Sequence, residues 1–118
     1  MMNQVILVGR IAREPEPVEL EDGRKVLSIP LAVSRSFKNV EGVYETDFIN
    51  CVLWNEVANR TSEYCKVGDV IGVKGRLQTN NFEDKDGNKK NTMEVVAERV
   101  TFLSTNKNYQ KENNLEER

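Results

Sequence analysis

The most informative absence in this sequence is histidine, which does not occur once in 118 residues. Histidine is the commonest general base and the commonest metal ligand, so its absence argues against acid–base and metal-dependent catalysis. The two cysteines, Cys51 and Cys65, form no Cys-x-x-Cys pair, which disfavours a disulfide framework, a zinc site and thiol redox chemistry. No serine, cysteine or lysine lies in a sequence motif that is typical of a catalytic nucleophile. We therefore predict that the protein is not an enzyme and needs no metal or cofactor.

Long hydrophobic runs are also missing. No apolar stretch is long enough to cross a bilayer, and no basic segment followed by an apolar one resembles a secretion leader. A length of 118 residues suits one domain with one core. These features predict a single-domain, soluble protein of the cytoplasm without a membrane partner.

Positive charge is not in excess, because 17 Lys and Arg face 19 Asp and Glu, for a net charge of −2. Composition alone therefore gives no signal for nucleic-acid binding and fits a solvated surface of mixed charge equally well. Several acidic residues cluster near the start: Glu14, Glu16, Glu19, Glu21 and Asp22. This clustering leaves room for a basic surface elsewhere in the fold, without proving one.

A short apolar run at about residues 5–10 predicts a first strand, and apolar patterning predicts four more, at about residues 26–35, 47–54, 70–82 and 91–103. Helical periodicity from Val57 to Cys65 predicts one short helix between the third and fourth strands, capped by Asn55 and ended by Gly68. Three strands, a helix and two strands is the order of the OB-fold, a five-stranded Greek-key barrel that binds oligonucleotides or oligosaccharides. We predict an all-β OB-fold over residues 1–103 and a polar, disordered tail over residues 104–118.

The first strand is apolar on both faces from Val5 to Val8. Only one face of a strand in a small barrel meets the core of its own chain, so the other face needs a cover. A partner subunit is the simplest cover, and a local loop is the alternative.

Strand parity divides the third strand into two faces. Ile49, Cys51 and Leu53 share the face predicted to enter the core, which leaves Phe48 and Trp54 on the outside. On the fourth strand Ile71, Val73 and Leu77 are predicted to be core, and the other face carries two cations and an aromatic: Lys74, Arg76 and Phe82. At the end of the second strand, a third site has the same pattern: Phe37 with Arg35 and Lys38.

An exposed aromatic ring beside a cation suits a single nucleic-acid strand. Every base has a π-face on which a ring can stack without reading sequence, and Lys or Arg attracts the phosphates. Packing is the competing interpretation for each ring: Trp54 could lie under the helix or in a subunit interface, and Phe37 or Phe48 could close an end of the barrel.

Several stretches, in order across residues 2–103, resemble the bacterial-type single-stranded DNA-binding protein family. The matching segments are NQVILVGR (3–10), LAVSRSF (31–37), TDFINCVLW (46–54), GRLQT (75–79) and TMEVVAE (92–98). The resemblance implies a homotetramer of OB-fold subunits, associated with the bacterial nucleoid, that binds single-stranded DNA without sequence specificity and protects it during replication, recombination and repair.

The resemblance also implies which residues bind. The base-stacking positions of the family fall on Phe37, Phe48, Trp54 and Phe82. Its phosphate contacts suggest a set of basic residues: Arg10, Arg35, Lys38, Lys66, Lys74 and Arg76. Many members have tryptophan at several of the stacking positions, whereas three of the four are phenylalanine here. The smaller phenylalanine ring should stack less strongly on a base. Asn80 and Asn81 stand where the family often has basic residues. With fewer cations there, the affinity for DNA should depend less steeply on salt concentration.

The end of the sequence departs from the family. Many members end in an acidic tip with a terminal Pro-Phe that recruits genome-maintenance proteins, whereas this sequence ends in LEER at residues 115–118. Recruitment of repair proteins by that route is therefore not expected, and a trimmed chain and a short phage, plasmid or accessory form both stay open. Two other functions also stay open: an OB-fold interaction module of a primosome or replication complex, which the acidic net charge favours, and RNA binding.

Overall fold

The structure is a computed structural model, and it describes residues 1–104. Over this range the chain forms six strands and one helix. In chain order these are β1 (Val5–Ile11), β2 (Val18–Glu19), β3 (Lys25–Lys38), β4 (Tyr44–Trp54), α1 (Asn55–Tyr64), β5 (Val70–Glu83) and β6 (Lys89–Ser104). Five of the strands are long, and β2 is a two-residue addition. The tail predicted from residue 104 onward falls almost entirely outside the described residues, and Ser104 itself is the last residue of β6.

The sheet closes into a barrel. Its strand order is β1-β5-β6-β4-β3-β2. The edge strand β1 also pairs with β3, and this pairing closes the sheet on itself. The pairing of β4 with β6 is parallel, and the other pairings are antiparallel. Without the short β2, the strands β4 and β5 are the third and fourth of the five predicted strands, and α1 lies between them as predicted. Five long strands that close into a barrel with this helix confirm the predicted OB-fold.

The core lies inside the barrel and under α1. Alternate residues of the strands enter it, so that Ile29, Leu31, Cys51, Leu53 and Ile71 are each 0% exposed. Gly75 lies at a close approach of β5 to β6, because a Cβ atom there would overlap the carbonyl oxygen of Val96. Only glycine fits this approach without a shift of the backbone.

One core prediction is wrong. Leu77 has the same strand parity as Ile71 and Val73, but it is 42% exposed whereas they are 0% and 1% exposed. Leu77 pairs with Val95 at the last level where β4 also pairs with β6, and beyond it β5 and β6 continue as a two-stranded ribbon whose β5 residues are exposed. Strand parity tells which way a side chain points, but it does not tell where the core ends.

The predicted ends of the helix are also wrong. Trp54 is the N-cap residue, without a side-chain capping bond, and the C-cap is Cys65. The Asn55 side chain accepts a hydrogen bond from the backbone N–H of Lys25 instead, at 3.1 Å. Gly68 lies in the following turn at φ +91°, where its N–H donates to the carbonyl of Ile11 at 2.8 Å. Asn55 and Gly68 instead form hydrogen bonds with residues distant in the sequence, which the local sequence does not reveal.

The outer face of β1 exposes apolar side chains. Val5 and Leu7 pack against the core, whereas Ile6 is 71% and Val8 55% exposed. Within residues 1–104 no loop covers these two side chains, so the local-loop alternative is wrong. We call this surface the β1 face.

Candidate nucleic-acid interface

The outer face of β4 carries two large aromatic side chains. Phe48 is 68% exposed and Trp54 is half-buried, while Cys51 and Leu53 on the other face are 0% exposed. The predicted parity is therefore confirmed for Phe48, Cys51 and Leu53, whereas Val52, predicted on the outer face, is 7% exposed. We call the outer surface that bears Phe48 and Trp54 the aromatic face.

Arg10 flanks one side of the aromatic face. Paired residues in neighbouring strands point to the same side of a sheet, and Arg10 pairs with Ala32, which in turn pairs with Phe48. Strands lie about 4.8 Å apart, so Arg10 stands roughly 10 Å across the sheet from Phe48. Its Nη1 donates to the carbonyl of Gly68 at 2.9 Å, which holds the side chain along the surface.

Arg76 flanks the other side. It pairs with Val96 of β6, and Val96 pairs with Val52, which lies between Phe48 and Trp54 on the same face of β4. The two valines are 6% and 7% exposed, and Arg76 is exposed. The aromatic face thus has an arginine on either side, although the chain as a whole is acidic.

Phe82 lies farther out, on the ribbon formed by β5 and β6, and is 48% exposed. It pairs with Lys90, so a cation shares its side of the ribbon. The Lys90 ammonium lies 3.7 Å from the Asp84 carboxylate, and the Lys90 side chain is 59% exposed. Sequence reasoning missed Lys90, which only the register of the β5–β6 pair brings beside Phe82.

Phe37 lies near the end of β3 and is 67% exposed. The register between β3 and β4 shifts between Ser34 and Lys38, so strand parity does not extend from the core to Phe37. Beyond the shift Lys38 pairs with Tyr44, and its ammonium lies 5.6 Å from the centre of the Tyr44 ring. Tyr44 is 55% exposed and shares the parity of Phe48, which was the signal that could have found it.

Arg35 is already bound to carboxylates. Its Nε and Nη2 donate to the two oxygens of Asp47 at 3.1 and 3.0 Å, and its Nη1 donates to Glu45 at 2.6 Å. This bidentate contact raises the pKa of Arg35 and lowers the pKa of Asp47. All three guanidinium nitrogens have partners, so a phosphate would have to replace a carboxylate.

The remaining two predicted cations, Lys74 and Lys66, do not pair with residues of the aromatic face. Lys74 pairs with Ile6 of β1 and with Arg99 of β6, so its side chain lies next to the β1 face. Lys66 lies in the loop between α1 and β5 with an exposed side chain, and its backbone N–H donates to Asp69 at 2.9 Å.

The two thiols are poor nucleophiles. Burial raises the pKa of Cys51 to about 11, and burial together with the nearby Asp69 carboxylate raises the pKa of Cys65 to about 11. Residues 1–104 contain no group of three or more His, Cys, Asp or Glu side chains that could hold a metal ion.

Comparison with known proteins identifies the family. The model of the single-strand binding protein family matches residues 2–103. The chain belongs to the single-strand binding protein family. It is 43% identical to "Single-stranded DNA-binding protein 2" of Listeria innocua, over 97% of this chain and 77% of the relative.

Two further relatives differ in length. The chain is 48% identical to "Single-stranded DNA-binding protein" of Bacillus cereus, over 87% of this chain but 61% of the relative. It is 43% identical to "Single-stranded DNA-binding protein B" of Bacillus subtilis, over 87% of this chain and 91% of the relative. The longer relatives thus have residues that this chain does not match. Among residues 1–104, the one helix is too short and too polar to cross a membrane.

Proposed function

We propose that this chain binds single-stranded DNA without sequence specificity and protects it during DNA replication, recombination and repair. The observation that carries the proposal is the exposed Phe48 on the outer face of the barrel, with Arg10 and Arg76 on either side of it. Membership of the single-strand binding protein family and the names of the relatives support it.

The chemistry of such a face selects a single strand. In a duplex the base faces are stacked on each other, so an exposed ring has no base to meet. In a single strand each base can stack on a ring, and each stack contributes about 1–3 kcal/mol. Because all four bases have a π-face, this attraction is independent of sequence. Arginines at the flanks attract the phosphates and release counterions on binding.

In this proposal four rings stack on bases: Phe37, Phe48, Trp54 and Phe82. Phosphates are contacted by exposed cations, foremost Arg10 and Arg76, followed by Lys38, Lys66 and Lys74. Arg35 comes last, because a phosphate contact requires its guanidinium to leave Asp47 and Glu45. Catalysis is not part of the proposal.

We further propose that the chain assembles into a homotetramer through the β1 face. Ile6 and Val8 lie two residues apart on the same face of β1, and no side chain of residues 1–104 covers them. Aliphatic side chains exposed next to each other on a strand favour a protein partner. In a bacterial cell this assembly would act in the cytoplasm, at the nucleoid where single-stranded DNA arises.

The competing function is a protein-interaction module of a replication complex. The net charge of −2 favours it, because it weakens the attraction to nucleic acid. Salt separates the two functions: the affinity for DNA falls steeply as salt rises, whereas an apolar protein contact responds little. Competition between oligo-dT and oligo-U distinguishes DNA from RNA as the preferred strand.

The proposed function is tested by the fluorescence of Trp54, which is the one tryptophan of the chain. Titration with oligo-dT at low and high salt should quench it, and the quenching should need more oligonucleotide at high salt. A parallel anisotropy titration with labelled oligo-dT measures binding independently. Absence of binding in both assays would overturn the proposal, and binding without quenching would remove Trp54 from the stacking set.

A further inference from the structure

Trp54 does not present a bare ring. The guanidinium carbon of Arg24 lies 5.1 Å from the centre of the Trp54 ring, which is within the range of a cation–π contact. Arg24 comes from the turn before β3, thirty positions earlier in the sequence. It is not among the phosphate-contacting residues predicted from the sequence.

The turn holds Arg24 in this position from two sides. The backbone N–H of Leu20 donates to the Arg24 carbonyl at 2.7 Å, and Gly23 occupies φ +90°, which favours glycine. Asp22 then binds Arg24 twice, through the backbone N–H at 3.0 Å and through Nε at 2.7 Å. These two hydrogen bonds lower the pKa of Asp22, so its carboxylate stays charged and keeps its hold.

The anchoring uses only part of the guanidinium. Among the hydrogen bonds of residues 1–104, Nη1 and Nη2 of Arg24 have no partner, and the side chain is 57% exposed. Two terminal nitrogens form a planar fork that matches the oxygens of a phosphate. Arg35 offers the contrast, since all three of its nitrogens are engaged by Asp47 and Glu45.

We infer that Arg24 is a phosphate-contacting residue of the interface. Its guanidinium stays anchored by Asp22 over the Trp54 ring, and its two terminal nitrogens bind the backbone of the DNA strand where it passes Trp54. The inference rests on the proposed function and extends the interface from the strands to the turn before β3. Glu21 and Asp22 in the same turn oppose an approaching phosphate, so the contact depends on the unengaged nitrogens of Arg24.

The experiment compares Arg24→Gln with Arg24→Lys and with Arg60→Gln. Arg60 is an exposed arginine on α1, so its substitution removes the same charge away from Trp54. Anisotropy titrations of labelled oligo-dT over a salt series give the slope of log affinity against log salt for each variant. Loss of one phosphate contact from a single strand makes that slope shallower by about 0.7.

For Arg24→Gln we expect this shallower slope and an affinity at low salt on the order of tenfold lower. Arg24→Lys should restore the slope, because a lysine is also a cation, and Arg60→Gln should keep it. An unchanged slope for Arg24→Gln, or a higher affinity, would overturn the inference, the latter by showing that the guanidinium competes with a base for Trp54. If the parent chain fails to bind oligo-dT at all, it is the proposed function that fails.

Discussion

Two outer surfaces of this barrel expose apolar side chains to a similar extent, yet their chemistry differs. On the β1 face, Ile6 is 71% and Val8 55% exposed, and on the aromatic face, Phe48 is 68% exposed. The apolar side chains of the β1 face are aliphatic, whereas those of the aromatic face are planar rings. The aromatic face is flanked by Arg10 and Arg76, and a third arginine, Arg24, lies over Trp54.

The difference shows that exposure alone does not indicate the partner of a surface. An aliphatic side chain gains from burial in any apolar environment, which another protein surface supplies. A ring also gains from stacking on a base, and a neighbouring cation adds attraction to phosphate. In our proposal the β1 face therefore binds a second copy of the chain and the aromatic face binds DNA, and variants at each face should separate the two activities.

The largest effect is expected from removing both rings of the aromatic face. The double variant Phe48→Ala with Trp54→Ala should lose two base stacks, or about 2–6 kcal/mol of binding free energy, and keep its oligomeric state. Anisotropy with labelled oligo-dT and size-exclusion chromatography with light scattering measure the two properties.

Phe102→Ala is the matched control for this double variant. Phe102 packs against Tyr64, with ring centres 5.9 Å apart, on another part of the barrel. Its removal should leave the affinity for oligo-dT nearly unchanged. Equal losses from Phe102→Ala and from the double variant would contradict the assignment of the aromatic face.

The second prediction concerns the β1 face. Ile6→Glu places a charge in the proposed contact between subunits, so we expect the assembly to dissociate to a mass close to the 13.5 kDa of one chain. Binding of an oligonucleotide short enough for one chain should persist. Ile6→Val keeps the apolar surface and should keep the assembly. An Ile6→Glu variant that stays assembled and loses DNA binding would reverse the roles of the two faces.

A smaller effect distinguishes the arginines near the aromatic face. Arg10→Gln should make the slope of log affinity against log salt shallower by about 0.7, because Arg10 is predicted to contact a phosphate. Arg35→Gln should leave the slope nearly unchanged, since Asp47 and Glu45 already engage its guanidinium. Equal changes in slope would indicate that DNA displaces the carboxylates from Arg35.

The smallest effect concerns the pH dependence of folding. Arg35 holds the pKa of Asp47 below the ordinary aspartate value of 3.8, so their contact stabilises the folded state above that pH. The contribution is lost as the pH falls through the lowered pKa. Both side chains are exposed, so the loss should be small. Thermal unfolding between about pH 5 and pH 3 should show a shallower decline for Asp47→Asn, and an equal decline would argue against the contact.

Much of the fold could be predicted because local pattern and fold agree along the strands. Alternation on β4 correctly predicts that Cys51 and Leu53 enter the core and that Phe48 stays outside. Prediction fails where the position of a side chain depends on residues that are distant in the sequence. Leu77 lies past the end of the core, and Asn55 bonds to Lys25 across the chain instead of capping its own helix.

The candidate site divides in the same way. The sequence by itself determined which strands form, which of their residues alternate outward and hence that aromatic rings and cations occur near one another. Only the tertiary structure decided which cations are engaged and which are available. The partners of Arg35 lie 10 and 12 positions away, and Trp54 lies thirty positions from Arg24, so pairing between strands and the path of a turn bring them together. Side-chain contacts of this kind depend on distances of a few ångströms in space, which separation along the chain does not specify.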